Sequence, residues 1–368
     1  MTCYNSYVNE RKESGLKVIF VVSALHGGGA ERVVVTLANI FSRHGDEVIV
    51  LMCAGTEQAY KLDPAVKAVS IGDATHKNPL LQIRRIYRMH RFFKEHPEHK
   101  IVSFSTTINM FTIAASCGLR NRVIVSERND PNQYSHKKIR NFIYSFGKGF
   151  VFQTEDAKNC FSKKIRDRSR VIPNPLRKEL PLPLPQNAER EKKIAAVGRL
   201  EAQKNQMLLL KAFAEFQHIY TEYELHIFGK GKLEEQLKKE ALRLGISKNV
   251  VFEGFQKDVL EKIRTYGMYI LSSDYEGISN SLMEAMAVGL PCISTDCPIG
   301  GSRLCIENGQ NGILVPVGDA KTLKTAMCQV AQALEMGTEQ LGEKAVAIRE
   351  RFSEEQIARL WRDYIRER

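Results

Sequence analysis

Residues 268–288 read MYILSSDYEGISNSLMEAMAV, which is an apolar run of strand length, a polar turn and a helix-like run in succession. A short buried strand that leads through a turn into a helix is the repeating unit of a parallel sheet with helices on its faces. The same alternation continues on both sides of this stretch. The pattern therefore predicts an α/β protein built from many such units.

The proline-rich stretch at 173–186, PNPLRKELPLPLPQ, divides the alternating units into two sets, because its five prolines break regular elements. We expect two doubly wound, Rossmann-like domains that face each other across a cleft, with ligands at the carboxyl ends of the strands. The predicted boundaries are a tail at 1–15, an N-terminal domain at 16–175, a linker at 176–190, a C-terminal domain at 191–352 and a final helix at 353–368. Strands are predicted at 17–23, 47–52, 100–104, 122–126, 149–153, 170–172, 193–197, 224–228, 249–252, 268–272, 291–294 and 312–315, and helices near 30–43, 80–94, 206–220, 233–244, 282–288, 320–332 and 353–366.

Composition is that of a water-soluble globular protein, with 43% hydrophobic and 26% charged residues in a chain of 368. Residues 1–15 lack the apolar core of a signal peptide, and no window has the apolar length of a membrane span, so we expect a cytoplasmic location. The eight cysteines are scattered and form no Cys-x-x-Cys pair. Free thiols in a reducing compartment are the expected state.

Positive charge is concentrated in the first half of the chain. The net charge is +12, and residues 1–175 hold 27 Lys or Arg against 15 Asp or Glu, so this half carries the whole excess. A one-sided basic surface favours an anionic partner such as lipid headgroups, a phosphorylated substrate or nucleic acid, although a solvated basic surface is the plainer alternative. Residues 81–94 form a basic amphipathic helix, which favours peripheral contact with an anionic membrane. No nucleic-acid motif is present, so nucleic acid is not expected.

Two acidic residues flank the turn of the opening stretch. Glu276 follows the strand, and Glu284 lies in the first turns of the helix, where a carboxylate can accept hydrogen bonds from a ribose. The N–H groups of Gly277, Ile278 and Ser279 at the helix start are expected to face an anion. The alternative is that Glu284 closes a capping box, Ser-x-x-Glu, that needs no ligand.

Two cations follow the first strand of the second half, in the stretch VGRLEAQKN at 197–205. Arg199 and Lys204 lie on the predicted turn, where they can neutralise the charge of a departing diphosphate. Alternatively they are solvated surface cations. No Asp-x-Asp occurs, so a metal that bridges carboxylates to a phosphate is not expected.

Glycine-rich turns follow several predicted strands and allow a ligand to approach the backbone. The first turn holds Gly27, Gly28 and Gly29 but lacks the spacing of a dinucleotide site. Gly229 and Gly254 lie in two later turns that can approach a nucleotide base, although ordinary tight turns explain both nearly as well. In the N-terminal half, the candidate sugar or acceptor contacts are Glu31, Glu127 and Arg128.

Taken in order, these motifs resemble one family. EGISNSLMEAMAVGLP resembles the Glu-x7-Glu motif of the retaining glycosyltransferases of family four, which have the GT-B fold. VGRLEAQKN, the Gly-Gly-Ala-Glu-Arg turn, VIPNP and NGILVPVGD resemble other motifs of that family, and the resemblance spans nearly the whole chain after residue 16.

The resemblance implies a role for each half of the chain. The C-terminal domain would bind a nucleoside-diphosphate sugar, with Arg199 and Lys204 at the diphosphate, Glu284 at the ribose and Glu276 at the transferred sugar. The N-terminal domain would bind the acceptor, and its Gly27–Gly29 turn would approach the donor. Transfer would retain the anomeric configuration through a front-face reaction without a cofactor, a metal or a protein nucleophile.

One departure from the family pattern is the stretch SERNDP at 126–131, which has no histidine where many relatives place one near the donor sugar. Glu127 or Arg128 would take over its role. Relatives with this variant build bacterial surface glycans on polyprenyl-diphosphate lipids, which suggests such an acceptor and a UDP-hexose or UDP-N-acetylhexosamine donor. The alternatives are an epimerase or hydrolase of nucleotide sugars on the same fold, or a non-enzymatic module that binds anionic membranes.

Overall fold

The computed structural model describes residues 15–25, 28–56, 59–72, 78–119, 123–185 and 188–368. Within this part of the chain, no helix combines the length and apolar character needed to cross a bilayer. The predicted tail at 1–15 therefore lies outside the described residues except for Gly15.

The N-terminal domain is one parallel sheet of seven strands in the order β3-β2-β1-β4-β5-β6-β7. β1 and β2 bury every residue but their first, as expected for strands that helices cover on both faces. Its elements in chain order are β1 (Lys17–Val22), α1 (Gly29–Arg43), β2 (Glu47–Met52), β3 (Lys67–Ser70), α2 (Pro79–Glu95), β4 (Lys100–Phe104), α3 (Thr106–Ala115), β5 (Val123–Ser126), α4 (Lys137–Tyr144), β6 (Gly149–Phe152), α5 (Glu155–Asn159), α6 (Lys163–Arg166) and β7 (Ser169–Val171).

The C-terminal domain is a parallel sheet of six strands in the order β10-β9-β8-β11-β12-β13. Its elements are β8 (Glu191–Val197), α7 (Gln206–Gln217), β9 (Glu224–Phe228), α8 (Glu234–Arg243), β10 (Val250–Gly254), α9 (Val259–Ile263), β11 (Tyr266–Leu271), α10 (Asn280–Ala287), β12 (Cys292–Thr295), α11 (Gly301–Cys305), β13 (Ile313–Val315), α12 (Ala320–Glu335), α13 (Leu341–Ala345) and α14 (Ile348–Arg351). The predicted α/β class with two Rossmann-like domains is therefore confirmed.

The last helix, α15 (Glu354–Glu367), returns to the N-terminal domain. Trp361 is fully buried against Phe104 at the end of β4, with the two ring centroids 5.7 Å apart. The Tyr364 hydroxyl accepts a hydrogen bond from the Phe150 N–H at 2.9 Å and donates to the Arg168 carbonyl at 2.6 Å. The chain thus crosses between the domains twice, and its final element completes the core of the first.

Several elements differ from the sequence prediction. α3 and α4 and the edge strand β3 were not predicted, because α3 buries side chains on more than one face and β3 is short and half-exposed. α10 begins at Asn280, two residues earlier than predicted, and its N-cap is Ser279, whose hydroxyl accepts from the Leu282 N–H. The Ser281–Glu284 capping box is therefore absent, since the Ser281 hydroxyl bonds the Val197 carbonyl instead.

Candidate functional site

The turns after β8 and β11 lie side by side at the point where the strand order of the C-terminal sheet reverses. In an open parallel sheet this reversal leaves a crevice at the carboxyl ends of the strands, which is where ligands bind. The Asp274 N–H donates to the Gln203 carbonyl at 2.9 Å, and Asn205 Nδ2 donates to Asp274 Oδ1 at 2.6 Å. These hydrogen bonds tie the two turns into one surface.

Lys204 and Glu276 form an ion pair at the centre of this surface. Lys204 Nζ lies 2.5 Å from Glu276 Oε1, which also accepts a hydrogen bond from the Ser273 hydroxyl at 2.9 Å. The two side chains are 15% and 11% exposed, so solvent screens the pair only partly. The structure therefore brings together two predicted site residues that lie 72 positions apart.

Arg199 occupies the same turn as Lys204 but extends outward. Its side chain is 66% exposed, and Nη1 pairs with Glu201 Oε2 at 3.0 Å. Nη2 donates to Gln203 Oε1 at 3.4 Å, and Gln203 in turn donates to the Tyr275 carbonyl. An exposed pair of this kind contributes about 0–1 kcal/mol, so an anion in the crevice can readily recruit the guanidinium.

Three glycines meet at the carboxyl ends of β8, β9 and β10. The Gly229 N–H donates to the Gly254 carbonyl at 2.7 Å, and both residues have positive φ, of +134° and +66°. A Cβ at Gly229 would lie 1.9 Å from the Gly198 carbonyl oxygen. The two predicted glycine turns are thus adjacent, and each backbone conformation requires glycine.

Glu284 lies on α10 at the boundary between the domains. Its Oε1 is 3.0 Å from Arg32 Nη1, which comes from α1, and 3.0 Å from Arg177 Nε. Neither of these two contacts has the geometry of a hydrogen bond. The two arginines therefore hold the buried carboxylate by charge. A ribose hydroxyl at this position would donate a hydrogen bond to a carboxylate that is already paired with both arginines.

The glycine-rich turn of the N-terminal domain abuts the start of α10. Asn280 Nδ2 donates to the Gly29 carbonyl at 3.4 Å. Gly28 is the N-cap of α1, and a Cβ there would lie 2.2 Å from Glu31 Oε2, because the half-buried Glu31 side chain folds back over the turn. Gly27 lies outside the described residues. The turn therefore closes one wall of the crevice.

One of the three backbone N–H groups in the turn at 277–279 is already hydrogen-bonded within the protein, whereas the sequence pattern predicted that all three would face an anion. The Ile278 N–H donates to Gln153 Oε1 of the N-terminal domain at 3.2 Å. Within the described chain, the N–H groups of Gly277 and Ser279 meet no protein acceptor. Sequence reasoning missed Gln153, because no local pattern indicates a contact over 125 residues.

Glu127 and Arg128 point into the N-terminal domain, and the expectation that their side chains contact sugar or acceptor stays a prediction. Glu127 accepts hydrogen bonds from the Thr106 hydroxyl at 2.9 Å and from the Tyr144 hydroxyl, and burial raises its carboxyl pKa. The Arg128 guanidinium lies 5.1 and 5.3 Å from the ring centroids of Phe104 and Trp361. Burial lowers the pKa of Arg128 to about 9.

Known proteins share the sequence patterns of both domains. Residues 184–345 match the family described as glycosyl transferases group 1, and residues 27–179 match glycosyltransferase family 4. One relative is the Campylobacter jejuni GalNAc-α-(1→4)-GalNAc-α-(1→3)-diNAcBac-PP-undecaprenol α-1,4-N-acetyl-D-galactosaminyltransferase. The two sequences are 28% identical over 313 residues, and the alignment covers 83% of this chain and 86% of that protein.

Solved structures share the whole architecture. The lipopolysaccharide outer core galactosyltransferase WaaB superposes with a TM-score of 0.76 and 20% identity over 96% of this chain and 99% of its own. HepE from Anabaena, solved in complex with UDP, has a TM-score of 0.79 and 18% identity over 96% of this chain and 100% of its own. At these identities the likeness establishes the fold.

Proposed function

The chain is a GT4-like glycosyltransferase with the GT-B fold, and on that premise we propose that it moves a hexose or N-acetylhexosamine from a UDP-sugar to a lipid-linked or oligosaccharide acceptor. In this proposal the transfer retains the anomeric configuration and serves the synthesis of a bacterial surface glycan. The C-terminal crevice holds the donor, and the N-terminal domain presents the acceptor.

The observation that carries this proposal is the largely buried Lys204–Glu276 ion pair at the reversal point of the C-terminal sheet. As the bond between the anomeric carbon and the phosphate oxygen breaks, the departing UDP gains negative charge, which Lys204 and Arg199 stabilise. The acceptor hydroxyl attacks from the same face, and its proton passes to the leaving phosphate oxygen. Glu276 orients both the ammonium group and the sugar.

The donor and acceptor classes are supported by the relatives. HepE was solved with UDP, with UDP and glucose, and with UDP-glucose. The Campylobacter relative acts on a glycan linked through diphosphate to undecaprenol. For this chain we propose the same nucleotide and a polyprenyl-diphosphate acceptor, which agrees with the excess of positive charge in residues 1–175.

We predict that UDP release from a UDP-sugar and a lipid-linked acceptor continues at the full rate with excess chelator, because fixed cations supply the counter-charge. Replacing Arg199 with Ala should lower kcat/KM by about ten- to a hundredfold, since a charge-assisted contact to the diphosphate is lost. Arg243→Ala is the matched control, because Arg243 is 65% exposed and paired with Glu240 on α8.

Three results would argue against this assignment. Loss of activity with chelator would point to a metal-dependent transferase, and full activity of Arg199→Ala would remove Arg199 from the site. UDP-sugar consumed at the same rate without acceptor would favour the hydrolase or epimerase alternative. Screening UDP-sugars and GDP-mannose by calorimetry identifies the donor to use.

Membrane contact is the second part of the proposal. α2 exposes Leu80, Ile83 and Tyr87 along one stripe, beside Arg84, Arg85, Arg88, Arg91 and Lys94. α4 exposes Ile139 and Phe142 next to Lys137 and Lys138, and α3 lies between the two helices. Exposed apolar stripes bordered by cations fit the interface of an anionic bilayer.

We expect the chain to sediment with vesicles that contain anionic lipid and to remain in solution with neutral ones, since apolar insertion and charge attraction act together. The double variant Ile83→Gln, Tyr87→Gln should lower the partition coefficient about tenfold. Leu242→Gln, at an equally exposed apolar position of the C-terminal domain, should leave it unchanged. Equal binding of all three proteins would exclude α2 as the contact.

A further inference from the structure

Two buried amide side chains of the N-terminal half hold the backbone of Ile278. Gln153, which follows β6, accepts a hydrogen bond from the Ile278 N–H at 3.2 Å. Asn174, which follows β7, donates to the Ile278 carbonyl at 3.2 Å and to Asn280 Oδ1 at 2.8 Å. Both polar groups of Ile278 are therefore bonded across the domain boundary.

The two amides also bond each other and are buried. Gln153 Nε2 donates to Asn174 Oδ1 at 2.7 Å, and the same oxygen accepts from Arg128 Nη1 at 3.1 Å. Gln153 and Asn174 are 2% and 3% exposed. The side-chain oxygen and nitrogen of Asn174 thus both have partners, which fixes the orientation of this amide.

Gly277 shows how closely the N-terminal domain lies on this turn. A Cβ at Gly277 would be 2.0 Å from Gln153 Oε1 and 2.7 Å from the Arg128 carbonyl oxygen. Its φ is outside the positive region, so its backbone conformation is open to any residue. The position requires glycine because the other domain leaves no room for a side chain.

From these contacts we infer that Gln153 and Asn174 are positioning residues, which fix the 277–279 backbone in the conformation that the donor needs. The inference rests on the proposed function, because it takes this turn as part of the donor site. Glu276 precedes the turn directly, and the amides of Gly277 and Ser279 on either side of Ile278 are left for the donor. The donor site is therefore complete only when the two domains are closed.

Coupling between donor binding and closure follows from this arrangement. If the domains separate, the Ile278 peptide loses both partners, and the turn is free to adopt other conformations. The apparent donor affinity is then the affinity of the closed state multiplied by the fraction of molecules that are closed. Substitutions at Gln153 or Asn174 should thus weaken donor binding even though neither side chain touches the donor.

The test compares Gln153→Met, which keeps the side-chain length but loses the acceptor, with Gln153→Glu, which keeps an acceptor for the Ile278 N–H. Gln153→Met should raise the Kd for UDP and the KM for the UDP-sugar about tenfold or more, and Gln153→Glu should recover only part of this loss, because it restores the acceptor for the Ile278 N–H but not the donor to Asn174 Oδ1. The KM for the acceptor should stay unchanged. Asp156→Ala is the control, because it removes a domain-bridging ion pair with Arg303, of 2.9 Å, that does not touch the turn.

Equal UDP affinity of Gln153→Met and the unaltered chain would overturn the inference, as would an equal loss in Asp156→Ala. Absence of UDP binding to the unaltered chain would instead overturn the proposed function. If Gln153→Met fails to fold, judged by circular dichroism, Gly277→Ala tests the same contact from the other side. Its methyl group pushes against Gln153 Oε1, so it should weaken UDP binding by a similar factor, and normal binding would again overturn the inference.

Discussion

Replacing Lys204 with alanine should lower kcat for sugar transfer by about 10²–10³-fold, the usual effect of removing one preorganised group that stabilises developing charge. The ammonium group is mostly buried at the reversal point of the sheet and is held 2.5 Å from Glu276. Water cannot replace such a fixed charge without reorganising. Lys204→Arg should not restore the rate, because a planar guanidinium does not fit the place of a compact ammonium group.

Lys192→Ala is the matched control for this prediction. Lys192 lies at the amino end of the same strand, β8, and also pairs with a glutamate, Glu222, but it is exposed. Its removal should leave kcat within about twofold, since exposed ion pairs contribute little. Comparable activity of Lys204→Ala and Lys192→Ala, with both variants folded, would refute a role for the buried pair in transfer.

Replacing Trp361 with alanine should lower the free energy of unfolding by about 3–5 kcal/mol, the range for large aromatic side chains in a core. The indole is fully buried between α15 and the sheet, and it lies against the Arg128 guanidinium. The variant loses this packing and leaves a buried cation beside a cavity. Because Trp361 is the only tryptophan, unfolding in urea is followed by circular dichroism.

Trp361→Phe should be markedly less destabilising, because the indole N–H has no hydrogen-bond partner among the described residues and the ring contact with Phe104 persists. Phe255→Ala, at a position 72% exposed, should change the free energy of unfolding by less than about 0.5 kcal/mol. An effect of Trp361→Ala as small as that of Phe255→Ala would mean that α15 does not contribute to the core of the N-terminal domain.

The sequence alone indicated the fold class and a shared crevice for Lys204 and Glu276. Strand, turn and helix alternate with local periodicities, and in a parallel sheet the carboxyl ends of all strands share one edge. Lys204 and Glu276 each follow a strand, so their location at one edge of the sheet followed from local pattern, whereas their ion pair depends on β8 and β11 being neighbours in the structure.

Only the tertiary structure decided how the two domains meet. The contacts of Gln153 and Asn174 with Ile278, of Arg32 with Glu284 and of Trp361 with Arg128 join residues more than a hundred positions apart. Glu127 and Arg128 illustrate the same limit, since in sequence they are polar residues at the end of a strand, whereas in the structure Glu127 is hydrogen-bonded to Thr106 and the Arg128 guanidinium packs against Trp361. The physical reason is that these contacts depend on how the two domains and α15 pack against one another, and such packing leaves no periodic pattern along the chain.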